Sequence, residues 1–478
     1  MGTMTMDGIA ALLLKELSAR GLTAGGKTLL AGVSGGADSV ALLHGLWALQ
    51  KRCGFALYAV HVEHGLRGEA SLLDADFVKT MCAESDIPFL YYRVDVPAAM
   101  ERLQCGAEEA ARSLRFGCFE RAMAERGGDA FLTAHHMDDQ AETVLMHLLR
   151  GSGPAGLSGM AACRPLQNGW LLRPFLSLRR EELRGALAKA GLSWREDETN
   201  AQPGGLRNRL RLTALPILEE LAPGCVEAMG RAAILFGEEE GFWQQETRGW
   251  LKNNAWFSNR LCFLMREALE SAQPAFRRRV LRAFFERSVL EMGVCADRGM
   301  LSLTLAKTEE MMRLLAGEAG RAANLPGNIR CERSRERLFL IPPGARQTPP
   351  ETPLHAPGEA RFGDHMFTAA LKSPGGDLGD GIRRQVLDAD QLRGAVIRTR
   401  RPGDVFRLLD GSGTAPLKEL LISRGVDRPF RDMLPLVVRG QDILWVPGAG
   451  PSGLAKVTPE TKTAALLTVE GPLPWAEM

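Results

Sequence analysis

The sequence predicts an α/β protein: a doubly wound parallel sheet, followed by a helical domain and a small α+β C-terminal domain. Three observations support this prediction. Short β-rich runs alternate with helical stretches over the first ~200 residues, these runs then disappear, and extended runs return near the end of the chain. We predict domains at residues 1–212, 213–340, 341–390 and 391–478, the third being a linker and irregular segment.

Each predicted strand of the first domain is a short β-rich run followed by a helical stretch. The strands span Thr28 to Val33, Ala56 to Val62, Phe89 to Val96 and Ala130 to Ala134. Apolar residues three and four positions apart predict helices at Val40 to Leu49, Leu72 to Glu84 and Glu108 to Arg126. Ligands of such sheets bind beyond the carboxyl ends of the strands, so Ser34, His61 and His135 are expected to line one crevice.

Changes in composition divide the rest of the chain into a helical region, a proline-rich segment and a region of mixed helix and strand. From Leu210 to about Ala323, Leu, Ala, Glu and Arg recur at helical spacing without a β signal. Six prolines between Pro342 and Pro357 indicate a linker. From Gly394 onward, extended runs flank a helix predicted at Ala415 to Arg424, which is typical of a small α+β domain.

The overall composition excludes several classes of protein. Lys and Arg total 59 against 57 Asp and Glu, and the net charge of +2 excludes a polybasic tail or an acidic disordered chain. No apolar run approaches the ~20 residues that a bilayer requires, so we expect no membrane span. Charged residues interrupt the first helix as no signal peptide would allow, and we expect a cytoplasmic protein. The nine Cys include no Cys-x-x-Cys, which predicts reduced thiols.

The most informative segment is Ser34-Gly-Gly-Ala-Asp-Ser39, where the first strand runs through two glycines into a helix. Glycines let successive N–H groups turn toward an anion, and the helix N-terminus adds partial positive charge. The Ser34 and Ser39 hydroxyls supply further donors. We therefore predict a polyphosphate site at Ser34, Gly35, Gly36, Ala37, Asp38 and Ser39. The alternative is an ordinary glycine-rich turn with Ser34 as N-cap.

This loop differs from a Walker A loop, which places a Lys on the β- and γ-phosphates. Here Asp38 stands where a cation is expected. An acid beside phosphates implies a bridging cation, so we predict that Asp38 binds Mg²⁺.

A histidine-containing segment, His61-Val-Glu-His-Gly-Leu-Arg67, follows the second strand. Two His three positions apart on a loop could bind a metal, but no third ligand is offered locally. We favour a role for His64 and Arg67 in the wall of a nucleotide pocket. The alternative is a His that is hydrogen-bonded to loop carbonyls.

Two further segments carry charged side chains toward the expected crevice. Arg112 lies one turn into a helix and faces either solvent or the crevice, where its charge would stabilise a pentacoordinate α-phosphate. Asp139 and Glu142 share a helix face near His136. Buried against phosphates, these acids require Mg²⁺ or a substrate ammonium group. The alternative for the acids is a solvated first turn.

Two downstream segments are less specific. Gly151-Ser-Gly-Pro-Ala-Gly156 matches a dinucleotide motif but follows a helix, so we predict a substrate-facing loop instead. The arginines at 207, 209 and 211 could bind a phosphate backbone or be solvated.

These motifs carry a family resemblance. Ser-Gly-Gly-x-Asp-Ser after a first strand resembles the PP-loop ATP pyrophosphatase superfamily, whose members cleave ATP to AMP and pyrophosphate while adenylating a substrate. The whole set of segments, in this order, resembles the tRNA(Ile)-lysidine synthetase family. The resemblance covers Leu29 to about Arg211 and resumes at Arg400 to Asp404 and Leu417 to Val446. The sequence departs from the family at Glu63, where Asn or Asp is usual.

The resemblance implies a two-step ligation. ATP adenylates the C2 oxygen of the wobble cytidine in the isoleucine tRNA with a CAU anticodon, and the ε-amine of free L-lysine displaces AMP. The 34–39 loop, His64 and Arg67 would bind ATP, with Asp38 on Mg²⁺ and Arg112 at the α-phosphate. The group that orients the amine and accepts its proton stays open among Asp139, Glu142 and His136. A homodimer is also compatible with the resemblance.

Clusters of arginine predict tRNA contacts. Residues 393 to 439 hold ten basic and five acidic residues, a net charge of +5, and a second basic helix face lies at Arg277 to Arg282. We predict tRNA binding by Arg207, Arg209, Arg211, Arg277, Arg278, Arg398, Arg400, Arg401 and Arg407. The alternative is a solvated arginine-rich surface.

Three rival functions remain at this point. A PP-loop tRNA thiolase uses the same adenylation chemistry but commonly needs cysteine pairs or an iron–sulfur cluster, and no Cys-x-x-Cys is present. A non-catalytic tRNA-binding module would not need Asp38, Arg112, Asp139 and Glu142. A small-molecule amidotransferase would leave the arginine-rich C-terminal segment without a role.

Overall fold

The computed structural model describes residues 4–65, 69–166, 169–196, 205–294, 301–344, 349–409 and 413–476. The chain divides into two compact units, Met1–Phe242 and Trp243–Met478. The predicted domain boundaries at 212, 340 and 390 stay predictions. No helix within these described ranges is long and apolar enough to cross a membrane.

The first unit is built on a six-stranded sheet. Its strands are β1 (Thr28–Gly32), β2 (Ala56–Glu63), β3 (Phe89–Arg93), β4 (Ala130–Leu132), β5 (Cys163–Leu166) and β6 (Gly169–Leu172). Their order is β3-β2-β1-β4-β6-β5, and every pair is parallel except the β5–β6 hairpin. The predicted parallel sheet and its first four strands are confirmed, whereas the hairpin was not predicted.

Helices cover both faces of this sheet. They are α1 (Met6–Ser18), α2 (Ala37–Cys53), α3 (Glu69–Glu84), α4 (Val96–Leu103), α5 (Ala107–Arg126), α6 (Met137–Leu149), α7 (Pro154–Leu157), α8 (Arg180–Lys189), α9 (Leu206–Arg209), a π-helical turn (Leu210–Ala214), α10 (Leu215–Leu221) and α11 (Cys225–Asn254). Leu29 and Ala31 pack with α1, α2 and α8 on one face, while Leu30 packs with α5 on the other. The alternation follows from the two-residue period of a strand.

The strand order places the site. β2 and β4 flank β1, so the chain leaves β1 toward opposite edges of the sheet. The loops that follow β1 and β4 therefore meet at a topological switch point, where open α/β sheets bind their ligands. α2 and α6 begin at these two loops, with their N-termini at the same edge.

The second unit begins with helices on a five-stranded antiparallel sheet. Its elements are β7 (Ala255–Trp256), β8 (Cys262–Met265), α12 (Arg266–Glu270), α13 (Pro274–Glu291), α14 (Leu305–Ala316), β9 (Ala322–Leu325), β10 (Ile329–Arg333) and β11 (Arg337–Ile341). The order is β7-β8-β11-β10-β9. The expectation of a region without strands is therefore wrong. Cys262, Phe263 and Leu264 are all fully buried, and so short an apolar run cannot be told from a buried helix by its periodicity.

Three smaller sheets complete the second unit. Their strands are β12 (Thr352–Pro353), β13 (Gly358–Phe362), β14 (His365–Lys372), β15 (Arg384–Asp388), β16 (Val396–Arg398), β17 (Val405–Arg407), β18 (Thr414–Pro416), β19 (Leu436–Arg439), β20 (Asp442–Val446), β21 (Gly450–Pro451) and β22 (Ala464–Glu470). The helices here are α15 (Leu417–Ser423) and α16 (Arg428–Arg431), with 3₁₀ turns at Pro326–Asn328, Ala389–Leu392 and Gly453–Ala455. The sheets are β12-β16-β19-β20-β21, β13-β14-β22-β15 and β17-β18.

The segment 341–390 is not the irregular linker that its prolines predict. It contributes β12 to β15, and β14 and β15 both pair with β22, about 90 residues further along the chain. Phe362 and Phe367 from this segment are fully buried in the core that these strands share with Trp445. The partners that order this segment are distant in sequence, which is why local composition misrepresents it.

Candidate active site

Two adjoining cavities open at the carboxyl ends of β1, β2 and β4. The first cavity, of about 650 Å³, is lined by the loop after β1, the end of β2 and residues of α5 and β6's C-terminal flank. The second cavity, of about 400 Å³, adds residues of α8, α9 and the π-helical turn. Ser34, Gly36, Asp38 and Asp139 line both. The sequence therefore identified the correct edge of the sheet.

The loop after β1 is held open by its own side chains and by Gly35. Ser39 Oγ accepts the Ser34 N–H at 3.1 Å and donates to the Gly36 carbonyl at 2.9 Å. Gly35 has a φ of +92°, where an L side chain is strained, and its carbonyl accepts the Arg195 N–H at 3.0 Å. The Ser39 hydroxyl thus fixes the loop's shape and is itself buried.

The N-terminus of α2 faces the cavities without a capping side chain. Gly36 is the N-cap residue, and no side chain of the described chain accepts a hydrogen bond at this helix start. The first amides of α2 therefore remain available to an anion. This geometry supports the polyphosphate site predicted from the sequence.

Asp38 lies in the first turn of α2 and lines both cavities. Its Oδ2 is 3.5 Å from His136 Nε2. Its Oδ1 is buried and has no hydrogen-bond partner among the described residues. A carboxylate oxygen left unpaired beside an anion site fits a bound cation, because Mg²⁺ is commonly held by one carboxylate together with phosphate oxygens and water.

Asp139 and Glu142 form an ion-pair network with two arginines. Arg207 Nε donates to Glu142 Oε2 at 2.7 Å, and Arg211 Nε donates to Glu142 Oε1 at 2.5 Å. The two Nη2 groups bond Asp139 Oδ1 at 3.0 and 3.1 Å. Glu142 has no exposed surface, so its charge depends on both partners. We call these four residues the carboxylate–arginine quartet.

His136 lies between Asp38 and the quartet and carries a positive charge. Its Nε2 lies 3.4 Å from Asp139 Oδ2, and its Nδ1 lies 3.4 Å from Asp138 Oδ2. Burial would lower the pKa of His136, but hydrogen bonds with Asp138 and Asp38 and the charge of Asp139 raise it to about 10. The imidazole is thus charged at neutral pH, which disfavours the predicted alternative that His136 accepts a proton.

Asp138 connects α6 to the start of α8. It accepts the Arg180 N–H at the start of α8 at 2.8 Å and pairs with Arg179 at 3.1 Å. Burial opposes ionisation, but the hydrogen bonds with His136 and the Arg180 amide hold the pKa of Asp138 far below its usual range.

His135 is the neutral counterpart of His136, and the sequence did not single it out for chemistry. Its Nδ1 lies 2.9 Å from Thr133 Oγ1, and its side chain lines both cavities. Burial, opposed by Asp139 but reinforced by Arg173 and Arg207, lowers the pKa of His135 to about 4. Two adjacent histidines therefore carry different charges, which only their surroundings determine.

The histidine-containing segment at the end of β2 forms another part of the wall of the first cavity. His61 Nδ1 contacts the Val33 carbonyl at 2.8 Å, so it supports the loop, and His64 lines the first cavity. Glu63 pairs with Arg93 at 3.5 Å and accepts a hydrogen bond from Tyr91, which ties β2 to β3. Arg67, the other predicted ATP ligand of this motif, lies outside the described residues.

Arg112 lines the first cavity while staying exposed to solvent, and two arginines that were not predicted line this cavity as well. Arg115 lies one turn further along α5 and lines both cavities. Arg173 directly follows β6 and lines the first cavity. The spacing of Arg112 and Arg115, three positions apart on one helix, could have indicated Arg115. Arg173 follows a strand that was not predicted.

Met160 is the residue of the 151–160 segment that lines the first cavity. Residues 151–156, predicted to form a substrate-facing loop, line neither cavity. Gln140 Oε1 accepts the Met160 N–H at 2.7 Å, and Gln140 Nε2 donates to the Met160 carbonyl at 3.1 Å. Gly159 has a φ of +61°, and a Cβ there would lie 2.7 Å from Gln140 Oε1. The segment is therefore fixed by Gln140, and its Met160 faces the cavity.

Comparison with known proteins identifies the family. Residues 9–218 match the PP-loop domain and residues 395–467 match the TilS substrate C-terminal domain. The chain is 31% identical over 465 residues to the tRNA(Ile)-lysidine synthase of Dehalococcoides mccartyi, covering 94% of this chain and 96% of that protein. The chain belongs to the tRNA(Ile)-lysidine synthase family. A relative of the same name from Symbiobacterium thermophilum is 33% identical and covers 94% and 95% of the two chains.

Solved structures similar to this member of the tRNA(Ile)-lysidine synthase family are more distant. A U34-tRNA thiolase from Methanococcus maripaludis with a [4Fe-4S] cluster is 19% identical, covering 48% of this chain and 76% of that one, with a TM-score of 0.41. A TilS C-terminal domain is 27% identical and covers 26% and 97%, with a TM-score of 0.23. The family assignment rests on the full-length relatives rather than on these structures.

Several arginines predicted to bind tRNA in this tRNA(Ile)-lysidine synthase family member are engaged inside the protein. Arg207 and Arg211 belong to the carboxylate–arginine quartet. Arg398 is 4% exposed and forms two hydrogen bonds with Asp404, at 2.7 and 2.8 Å. The predicted RNA contact of Arg398 is therefore wrong, because this buried side chain neutralises Asp404. Arg207 and Arg211 neutralise Asp139 and Glu142 but also line the second cavity, so their RNA contacts stay predictions.

The other predicted tRNA contacts lie nearer the surface. Arg209 and Arg407 are exposed. Arg400 pairs with Asp432 at 2.5 Å and Arg401 pairs with Glu351, while both line a cleft of about 830 Å³ with Lys418, Arg428 and Arg431. Arg278 pairs with Glu309 at 2.5 Å, and Arg277 Nε donates to the Ala272 carbonyl at 2.7 Å. Arg277 and Arg278 thus have protein partners, and their predicted RNA contacts stay a prediction.

Proposed function

We propose that the chain ligates L-lysine to C2 of the wobble cytidine of the isoleucine tRNA with a CAU anticodon, consuming ATP and releasing AMP and pyrophosphate. Full-length relatives with the name tRNA(Ile)-lysidine synthase support this function. The observation that carries it is that one anion site and Asp139, the member of the acidic pair that lines both cavities, open onto the same two adjoining cavities. A two-step ligation needs both, because a polyphosphate leaves first and an amine attacks second.

The first step transfers the adenylyl group to RNA. The cytidine C2 oxygen forms a bond to the α-phosphorus of ATP, and the bond to the pyrophosphate oxygen breaks. The uncapped amides of α2 and the Ser34 hydroxyl would hold the departing pyrophosphate. Arg112 and Arg115, which line the first cavity, would offset the charge that develops at the α-phosphate.

Asp38 is the residue that would hold Mg²⁺ with the triphosphate. Its buried, unpaired Oδ1 fits a cation better than a hydrogen bond from solvent. When bound, Mg²⁺ neutralises charge on the phosphate oxygens. Asp38 also keeps His136 charged through its Oδ2, so the residue joins the ATP site to the acidic pair.

The second step joins lysine to the activated base. The lysine ε-nitrogen forms a bond to C2, the C2–O bond breaks, and AMP leaves with that oxygen. Asp139 lines both cavities and would orient the lysine ammonium group together with Glu142. The amine must lose a proton before it attacks; His136 is already charged, so Asp139 and Glu142 stay the candidate acceptors.

The tRNA must reach both the cavities and the second unit. We propose that the cleft of Arg400, Arg401, Lys418, Arg428 and Arg431 contacts its backbone, together with the exposed Arg407. ATP, L-lysine and this tRNA are the proposed partners, and a homodimer stays a prediction.

The rival functions differ in what they require. A tRNA thiolase commonly uses paired cysteines or an iron–sulfur cluster, and the eight cysteines of the described ranges are free thiols without a disulfide among them. A non-catalytic module has no use for a buried, unpaired carboxylate oxygen beside an anion site. Ligation therefore uses more of the observed site than either alternative.

The test separates the two steps with radiolabelled ATP. The protein is incubated with α-labelled ATP, the CAU transcript, and lysine present or absent, and both adenylated RNA and AMP are followed. We expect AMP release to require lysine and the CAU anticodon, Asp38→Asn to abolish adenylated RNA, and Glu142→Gln to accumulate it. AMP release with sulfide in place of lysine would favour the thiolase, and no turnover would favour the binding module.

A further inference from the structure

Three arginines lie at one side of the first cavity, and the proposed adenylation step uses only Arg112 of them. Phe116 lines this cavity, and the guanidinium carbons of Arg112 and Arg164 lie 5.4 and 4.8 Å from its ring centroid. Arg173 also lines the cavity and is 4% exposed, with its Nη1 donating to the Ala161 carbonyl at 2.6 Å. We call Arg112, Arg164 and Arg173 the arginine cluster.

The positive charge of the arginine cluster is not neutralised by the protein. Within the described residues, none of the three guanidinium groups forms an ion pair with a carboxylate, and Arg173 Nε is buried without a hydrogen-bond partner. Burial, and to a smaller extent the charges of Arg164 and Arg112, together lower the pKa of Arg173 to about 10. Burial and Arg112 also lower the pKa of Arg164, against a weaker influence of Glu120.

The arginine cluster differs from the carboxylate–arginine quartet in its partners. Arg207 and Arg211 approach the same pair of cavities, but each contacts both Asp139 and Glu142. The arginines of the quartet are therefore paired with acids, whereas the described residues offer no such acid to the arginine cluster. Guanidinium groups held close together without a carboxylate repel one another, which destabilises the empty site. A bound anion removes this repulsion by forming charge-assisted hydrogen bonds with them.

We infer that Arg173 in the wall of the first cavity, together with Arg164 on the Phe116 ring, forms a second phosphate site, which is separate from the phosphate loop and holds a phosphodiester group next to the wobble cytidine. This inference rests on the proposed function. The base must reach the α-phosphate inside the cavity, so its own backbone phosphate enters a partly buried space and needs a cation there. Phe116 offers a flat apolar face beside this site, as nucleobases require.

The same chemistry could serve the α-phosphate of ATP instead. We favour the RNA phosphate because the phosphate loop residues Ser34, Gly36 and Asp38 line both cavities, whereas Arg173 lines only the first. Arg115 borders both cavities and is the better placed arginine for the ATP phosphates.

The test combines an arginine substitution in the protein with an uncharged methylphosphonate in place of one phosphate of the tRNA. An isoleucine tRNA is assembled from synthetic fragments with a methylphosphonate on one or the other side of the wobble cytidine, and adenylation rates are measured against RNA and ATP concentration. We expect Arg173→Met and Arg164→Met each to raise the KM for RNA about 10-fold with the KM for ATP unchanged. One methylphosphonate should raise the KM of the wild-type protein similarly and add no further effect to Arg173→Met.

Controls make the outcome decisive. Arg126 stacks on Tyr58 at 5.3 Å, as Arg164 does on Phe116, but is exposed and does not line this cavity, so Arg126→Met should leave both KM values unchanged. Arg173→Lys keeps the charge and should give an intermediate KM for RNA; thermal melting checks that each variant is folded. If Arg173→Met proves unfolded, Arg164→Met carries the same comparison.

Two outcomes overturn the inference. A raised KM for ATP with an unchanged KM for RNA would assign the arginine cluster to the α-phosphate. In the second outcome, the increases in the KM for RNA caused by Arg173→Met and by the methylphosphonate multiply when the two changes are combined. That result would show that the Arg173 guanidinium does not contact the substituted phosphate. If the wild-type protein adenylates the unmodified tRNA in these experiments, either outcome overturns only the inference and leaves the proposed function intact. If the wild-type protein does not adenylate this tRNA, the proposed function itself is wrong.

Discussion

At the scale of single residues, the two glycines of the phosphate loop have different tasks. Gly35 needs its positive φ, and a Cβ there would lie 3.4 Å from Val78 Cγ2. Gly36 has an ordinary φ of −74°, and a Cβ there would meet only Ser34 Oγ, at 3.7 Å. One glycine is therefore required by the backbone and the other by the approach of a ligand.

Alanine substitutions should separate these tasks. We expect Gly35→Ala to lower the free energy of unfolding by about 1–3 kcal/mol, because the left-handed conformation is strained for alanine. Gly36→Ala should keep the wild-type stability but weaken ATP binding, because its methyl group faces the anion site. Chemical denaturation and nucleotide titration measure both effects. Equal loss of stability in the two variants would contradict this division.

His136 provides a pH-dependent prediction. Its folded pKa of about 10 exceeds the ~6.5 of an unfolded His, so it stabilises the fold fully below pH ~6.5, and this contribution is lost as the pH rises toward 10. The difference in melting temperature between the wild-type protein and His136→Gln should therefore be largest below pH ~6.5 and shrink up to pH 10. A difference independent of pH would mean that His136 is not charged in the folded state.

Residue types revealed the site, but not the charge states or partners within it. Asp38, Arg112, His136, Asp139 and Glu142 all reach the two cavities or their walls, as their positions after strands predicted. The sequence did not reveal that Arg207 and Arg211 neutralise the acids, because these partners lie more than 60 residues away. Nor could it show which of two adjacent histidines is neutral, since burial and neighbouring charges set their pKa values.

At the scale of elements, α9 and the π-helical turn bring the two arginines of the quartet to α6. Arg207, Arg209 and Arg211 alternate along this segment, and the middle one is exposed. The segment therefore offers a control within three positions of each buried arginine.

We expect Arg207→Met and Arg211→Met each to lower the free energy of unfolding by about 3 kcal/mol, because each leaves buried Glu142 with one partner fewer. Arg209→Met should change it by less than about 0.5 kcal/mol. Urea denaturation of the three variants measures this. Similar stabilities for all three would contradict the role of the quartet.

Element prediction succeeded where local sequence determines structure. The alternating strands and helices of the first unit have their own apolar period, and the predicted bounds differ from the observed ones by only a few residues. The short strands β6 and β8, and β14 and β15 of segment 341–390, pair with distant segments, which local patterns do not encode.

At the scale of the whole molecule, tRNA binding should depend on exposed rather than buried arginines. Arg407→Met should weaken tRNA binding and reduce its salt dependence, because an exposed guanidinium can neutralise a phosphate. Arg398→Met should instead lower the melting temperature, because it leaves Asp404 without its two hydrogen bonds. Filter binding across a salt series, with melting curves, tests both. A destabilised Arg407→Met or a stable Arg398→Met would reverse these assignments.

The central claim is that a cytidine oxygen takes the adenylyl group from ATP and later leaves with AMP. It is tested most directly with a CAU-anticodon tRNA that carries ¹⁸O at C2 of the wobble cytidine, together with lysine and unlabelled ATP. Mass spectrometry of the products should find the ¹⁸O in AMP and none in pyrophosphate. Unlabelled AMP, or ADP in place of AMP, would contradict the account.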